Sequence, residues 1–188
     1  MKVYVIRHGE SENNRTERFT GWDDPHLTDR GREDAKKAAE LLKNVRFDKI
    51  YVSDLCRAIE TAETAIPGCY PERSSLLREI HVGELANKPL AALSDAQREH
   101  VFEHGYVDFG GESQEIFCNR VHQFKKGLES LDCENVAVFS HAGWLRRMLD
   151  VVLGARVSRK SVCCNNCAVA VFEYANSNWR LYSWINLS

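Results

Sequence analysis

No apolar run in this chain of 188 residues approaches the roughly 20 residues that a membrane-spanning helix needs. Neither sign of charge dominates: 25 Lys and Arg stand against 27 Asp and Glu, a net charge of −2. That balance excludes a basic groove for nucleic acid and a polybasic face for anionic membranes. No Gly-x-x-x-x-Gly-Lys loop and no Gly-x-Gly-x-x-Gly after a strand is found, which excludes the common nucleotide-binding modules. There is no internal repeat, linker or low-complexity stretch. No basic-then-apolar leader precedes the first apolar run, so a cytoplasmic location is expected. The seven cysteines are odd in number and scattered, which suits reduced thiols better than a disulfide frame. Cys163, Cys164 and Cys167 cluster, but no second Cys/His pair accompanies them, so they are not read as a structural zinc site.

What is present is an alternation of short β-branched runs with amphipathic segments. Residues 2–7, 49–53 and 135–140 read as buried strands. Helices are expected from Thr28, a plausible N-cap, to about residue 44, with Ala35, Ala38, Ala39 and Leu42 on one face. Further helices are expected over 55–65, 113–131 and 143–153, the second of these with Ile116, Phe117, Val121, Phe124 and Leu128 at helical spacing. Residues 84–109 read as irregular and mostly polar. Cys167–Tyr174 and Trp179–Ile185 read as a hairpin about Asn176-Ser177-Asn178. The pattern implies one α/β domain over 1–188, with three α/β/α layers. Its doubly wound sheet should be mostly parallel, with one antiparallel strand; residues 84–109 form a small insert over the site.

Chemistry-bearing residues fall at the ends of three strands. Arg7 and His8 follow the first. Arg57 follows the second, within Ser53–Ala62. Ser140-His141-Ala142-Gly143 follows the third and opens a helix. A parallel sheet brings such ends to one edge, where ligands of open α/β sheets bind. Two guanidiniums, two imidazoles and a helix N-terminus around one small volume suit a phosphate dianion.

The order of several motif blocks is more specific. These are Arg7-His8-Gly9-Glu10-Ser11 with Asn14, Phe19–Thr28 with Gly31, Ser53–Ala62, Leu77–Gly83, Gly110–Ser113 and Ser140–Gly143. In these blocks the chain resembles the histidine phosphatase superfamily, in its phosphoglycerate mutase-like branch. The resemblance implies that His8 takes the phosphoryl group as nucleophile and that Glu79 gives the leaving group its proton. It implies that Arg7, Arg57 and His141 hold the phosphate, with Asn14 as a polar contact. Ala142, Thr20, Gly21, Glu10 and Ser11 are the remaining candidates for the phosphate and substrate mouth. The chemistry is consistent with these roles, because phosphoryl transfer depends on positioning and charge neutralisation. Positive neighbours should keep His8 neutral, and His141 would stabilise developing charge if protonated.

Mutases and phosphatases of this family share those groups. A mutase must keep water off phosphohistidine, and family mutases resemble longer chains with more cover over the site. The short 84–109 insert and the end of the chain just after the last strand therefore favour water as acceptor. The expected enzyme is a phosphomonoesterase of the small phosphatase subgroup, acting on a small phosphorylated metabolite such as α-ribazole phosphate or a sugar phosphate and releasing inorganic phosphate. The alternative is a bisphosphoglycerate-dependent phosphoglycerate mutase; a non-catalytic phosphate-ester binder is more remote, since both His8 and Glu79 are present. Glu84-Leu85-Ala86-Asn87 departs from the acidic-aromatic-Glu-Gly text common in phosphatase members. No cofactor, catalytic metal, nucleic acid or membrane partner is expected, and the oligomeric state is left open. Trp22, Tyr106, Phe109 and Trp144 are candidates for an aromatic wall, and His81 for the pocket edge. His26, His100, His104 and His122 read as surface or packing residues.

Overall fold

Six strands form where the apolar runs fall, with one addition. They are β1 (Lys2–Arg7), β2 (Lys49–Ser53), β3 (Glu72–Ser74), β4 (Asn135–Ser140), β5 (Val169–Ala175) and β6 (Asn178–Ile185). The computed structural model describes residues 1–158 and 161–187. It joins the strands into one sheet of order β3-β2-β4-β1-β5-β6. The pairs β1·β4, β2·β4 and β2·β3 are parallel, and β5 runs against both its neighbours. The mostly parallel sheet with one reversed strand is the architecture expected from the sequence. The helices are α1 (Glu12–Arg15), α2 (Asp29–Leu42), α3 (Cys56–Ala65), α4 (Asp95–His104), α5 (Gln114–Leu128) and α6 (Ala142–Leu153).

The period of two along the strands divides the core between the two faces of the sheet. Val3, Val5, Val136 and Val138 pack with Phe117 and Val121 of α5 and Leu145 and Met148 of α6. Ile6, Ala137 and Phe139 pack on the other side with Ala35 and Ala38 of α2 and Ala58 and Ala62 of α3. Each such Val, Ile or Phe, removed from water, contributes about 1.5–3 kcal/mol. Alanines on α2 and α3 let those helices lie close to the sheet and to each other. Thr28 caps α2 by accepting the Gly31 N–H at 3.0 Å. Gly31 and Gly9 are required by close approach: a Cβ on Gly9 would lie 2.3 Å from the Gly31 oxygen, and one on Gly31 2.1 Å from the Glu10 oxygen. The loop leaving β1 is thus pressed backbone to backbone on the start of α2. Asn176 and Ser177 both take positive φ, 50° and 61°, giving the two-residue turn between β5 and β6. Among the described residues, no helix is long and apolar enough to cross a membrane.

Two expectations need correction, and one strand, β3, was not foreseen. Residues 84–109 are not irregular throughout: they contain α4, started by Ser94, which accepts the Gln97 N–H at 3.3 Å. Only Val101 of its ten residues is buried, so it carries no apolar stripe by which to be read. Ile116 is 58% exposed, because the buried face of α5 runs through Phe117, Val121, Phe124 and Leu128 and Ile116 lies off it. The short β3 has neither length nor apolar content; it forms because β2 offers a free edge.

Candidate active site

Strand order assembles the site. β4 lies between β1 and β2, and the register pairs Arg7 with Ser140 and Val52 with Phe139. Three carboxyl ends therefore stop at one level. The next residues, His8 and His141, stand side by side with ring centroids 5.1 Å apart and planes inclined at 62°.

His8 is almost completely buried, and its Nδ1 lies 2.7 Å from the Gly9 carbonyl oxygen. A carbonyl can only accept, so the proton belongs on Nδ1 and the lone pair on Nε2. Arg57 Nε donates to that Nε2 at 3.2 Å. Burial, and then the charges of Arg57 and Arg7, hold the pKa of His8 well below the usual imidazole value, against the opposing pull of the Gly9 bond. At neutral pH this is an uncharged ring with a directed lone pair.

Arg57 sits in the first turn of α3 and is fully buried. Its Nη1 donates to the Asp23 carbonyl at 2.8 Å and its Nη2 to the Gly21 carbonyl at 2.9 Å. Burial lowers its pKa to about 10, so it stays cationic at neutral pH. The loop that grips it also caps its helix, because Asp24 Oδ1 accepts the Cys56 N–H at 2.7 Å. Thr61 Oγ1, one turn further on, accepts the Gly9 N–H at 3.0 Å and ties α3 to the His8 loop.

Arg7 and His141 flank His8. Arg7 Nη1 donates to the Cys164 carbonyl at 2.5 Å, while its buried Nε has no hydrogen-bond partner among the described residues. His141 Nε2 lies 2.9 Å from Ser53 Oγ, and its buried Nδ1 has no hydrogen-bond partner among the described residues. Buried polar atoms are rarely left unpaired, and these two, beside a neutral imidazole, are donors from which an anion can accept. Burial first, and then Arg57, His8 and Arg7, put the pKa of His141 well below the usual value, so the free site favours its neutral form. A Ser53 hydroxyl donating to Nε2 leaves Nδ1–H as a neutral donor.

Glu79, in the segment between β3 and α4, sets its carboxylate against the N-terminus of α6. Its Oε1 accepts the Ile80 N–H and its Oε2 the Gly143 N–H, both at 2.9 Å. The Glu79 carbonyl is held by Trp22 Nε1 at 2.8 Å and Arg120 Nη2 at 3.1 Å. A cavity of about 300 Å³ is lined by Arg7, His8, Arg57 and Glu79, with Asn14, Thr20, Gly21, Ala142, Arg18, Tyr106 and Arg146 also on its wall; His141 is fully buried beside His8 and is not on that wall. Glu79 is the one acidic residue on it among the described residues. A second cavity, about 390 Å³ between Arg7, Glu10, Asp34 and Asn166, holds no histidine.

Two expected mouth residues are placed elsewhere. Ser11 is fully buried and its Oγ and N–H donate to Asn14 Oδ1 at 3.1 and 3.2 Å. Glu10 Oε1 accepts from Thr28 Oγ1 at 2.8 Å and borders the second cavity. Both are tied into the β1 exit loop instead of reaching the pocket. Of the aromatic wall only Tyr106 lines the cavity. Trp144 is fully buried in the core, Phe109 packs against that core, and Trp22 stacks on His81 with centroids 4.7 Å apart.

With that geometry in place, comparison with known proteins is decisive. Residues 3–187 match the Histidine phosphatase superfamily (branch 1). The chain belongs to that family. A Salmonella paratyphi A relative named "Probable phosphoglycerate mutase GpmB" is 28% identical over 194 residues, covering 98% of this chain and 90% of the relative. The crystal structure of TTHB049 from Thermus thermophilus is 29% identical, with a TM-score of 0.80 and full coverage of both chains. A candidate alpha-ribazole-5'-P phosphatase from Escherichia coli shares the fold at a TM-score of 0.86 with 23% identity, over 99% and 97% of the two chains.

Sequence reasoning about this member of the histidine phosphatase superfamily missed several supports. Ser53 and Thr61 lie inside a recognised block, but only the strand order shows that they touch His141 and the His8 loop. Asn166 Nδ2 donates to the His8 carbonyl and to Asn14 Oδ1, both at 3.2 Å, across more than 150 residues of chain. Nothing local signals that bond. The pocket offers no group of metal-ligand type among the described residues; the one such group, His26, Cys56 and Glu60, lies outside it.

Proposed function

We propose that this histidine phosphatase family member hydrolyses a small phosphomonoester through a phosphohistidine at His8. The carrying observation is the His8 ring: buried, neutral, its proton committed to Gly9 and its Nε2 presented beside the Arg57 Nε. Phosphoryl oxygens would take the donors of Arg7, Arg57 and His141, with Asn14 as a polar contact. Nε2 attacks phosphorus in line, the bond to the alcohol oxygen breaks, and Glu79 gives that oxygen its proton. Water then attacks the phosphorus, the P–N bond breaks, Glu79 takes the water's proton, and inorganic phosphate leaves. Fixed cations already in place stabilise the charge of both transition states.

Water as acceptor is supported by the cavity wall, where exposed Arg18 and the 41%-exposed Leu90 keep its outer part in solvent. Residues 84–109 place α4 with its one buried residue, Val101, in the core. The mutase reading is favoured by the name of the Salmonella relative, and one experiment separates the two. Purified protein is offered a panel of sugar phosphates, α-ribazole phosphate and 3-phosphoglycerate primed with its bisphosphate. Release of phosphate is expected, together with an acid-labile, alkali-stable phosphoryl label on the peptide carrying His8. Isomerisation without release would assign a mutase, and turnover with no label on His8 would refute the covalent step.

A further inference from the structure

Outside the pocket, three side chains of metal-binding type converge. His26 Nδ1, Cys56 Sγ and a carboxylate oxygen of Glu60 lie within 4.8 Å of one another. Cys56 and Glu60 are the first and fifth residues of α3, so they share one face of that helix. His26 comes from the loop between α1 and α2, which crosses that face. Its Nδ1 contacts Glu60 Oε1. The other carboxylate oxygen is anchored by the Leu27 N–H at 3.4 Å and Arg32 Nη2 at 3.3 Å. Cys56 Sγ lies 3.3 Å from each of the Asp24 and Pro25 carbonyl oxygens. Glu60 is therefore oriented from outside, as a metal ligand usually is, while the Cys56 thiol donates to the two carbonyls and gives up that contact on losing its proton.

We propose that His26, Cys56 and Glu60 form a binding site for a divalent ion of the zinc class, with water as the fourth ligand. One sulfur, one imidazole and one carboxylate match the donor preferences of zinc, whereas magnesium and calcium want oxygen throughout. Bonds of about 2.0–2.3 Å to a tetrahedral ion place ligand atoms about 3.3–3.7 Å apart. His26 Nδ1 and Glu60 Oε1, now in direct contact, must part to that separation, and no pair of the triad lies farther apart than 4.8 Å; a rotation of the His26 side chain, which is 75% exposed, supplies the adjustment. Coordination displaces the thiol proton, and the thiolate and carboxylate then neutralise the ion.

The ion would staple the loop to the start of α3. That loop supplies the Gly21 and Asp23 carbonyls that grip Arg57, the residue after Cys56. None of the three ligands lines the pocket, so the ion acts as a clamp and takes no part in phosphoryl transfer.

The test uses full-length protein, reduced and freed of metal by chelator. Zinc chloride is titrated by calorimetry and by thermal melting, and cobalt chloride by absorption. Wild type should bind zinc and melt at a higher temperature with zinc present, and the cobalt form should show a thiolate-to-cobalt charge-transfer band. His26→Asn keeps all seven cysteines and changes only an exposed side chain; it should weaken zinc binding by about tenfold or more. Cys56→Ser should abolish the cobalt band. No zinc-induced rise in wild type, or binding unchanged in both variants, overturns the site. Because the readouts are binding and melting, this result and the fate of the phosphohistidine mechanism are read independently.

Discussion

Gly143→Ala isolates the proton-transfer role assigned to Glu79. A Cβ built on Gly143 falls 2.1 Å from Glu79 Oε1, 2.9 Å from its Cδ and 3.2 Å from Oε2. Ordinary contact begins near 3.4 Å, so the carboxylate must retreat by about 1 Å and release the Gly143 N–H that it accepts at 2.9 Å. Gly143 lies within α6, where alanine is favoured over glycine by up to about 1 kcal/mol. The substitution should therefore leave melting nearly unchanged while it moves one side chain. A misplacement of that size costs about 100-fold where geometry governs the step. The loss should depend on the leaving group. An alkyl phosphate, whose alkoxide needs a proton as it departs, should lose about 100-fold in kcat. p-Nitrophenyl phosphate, whose phenolate leaves unaided, should lose only a few-fold in the phosphorylation step. Pre-steady-state measurement with both substrates, beside Glu79→Gln as reference, decides the matter. Equal losses with the two leaving groups would falsify the assignment of Glu79 as proton donor.

Arg57→Ala removes charged donors from the buried Gly21 carbonyl and the part-buried Asp23 carbonyl and leaves a cavity; a loss of about 3–5 kcal/mol is expected in urea unfolding, with kcat down by at least about 1,000-fold. His8 and His141 have folded pKa values depressed below the unfolded value of 6.5. Below about pH 6.5 the unfolded imidazoles bind protons that the folded ones refuse, so stability should fall as pH falls and be flat in these two groups above it. Urea midpoints at about pH 5 and pH 7.5 measure this, and replacing His141 by Gln should reduce the difference. By the same depression, kcat/KM should show no acid limb from His8 near pH 6.5. Chelator should leave turnover in place, because guanidiniums supply the charge neutralisation at the pocket; strict dependence on added magnesium would contradict the mechanism.

Much of this molecule is written locally. The β-branched runs, the Thr28 cap, the Asn176-Ser177 turn and the stripe on α5 each depend on neighbours within a few residues, so periodicity and turn chemistry recover them. Arg7, His8, Arg57, Glu79 and His141 were legible because whole motif blocks surround them. α4 was not, since a helix held by a cap and one buried valine lacks an apolar period. Ile116 went wrong for a related reason: spacing names a face to within about one residue, and packing decides its edge.

The amino-acid order alone determined which side chains are candidates for the chemistry and that Arg7, His8 and His141 stand at the ends of parallel strands. Tertiary structure decided what surrounds them. Placing β4 between β1 and β2 brought Ser53 to His141, and folding the 163–167 segment back brought the Cys164 carbonyl to Arg7 and Asn166 to His8. It also turned Glu10 and Ser11 away and made both histidines neutral. Those outcomes depend on burial and on contacts between residues distant in the chain, and neither quantity is a property of any local stretch of sequence.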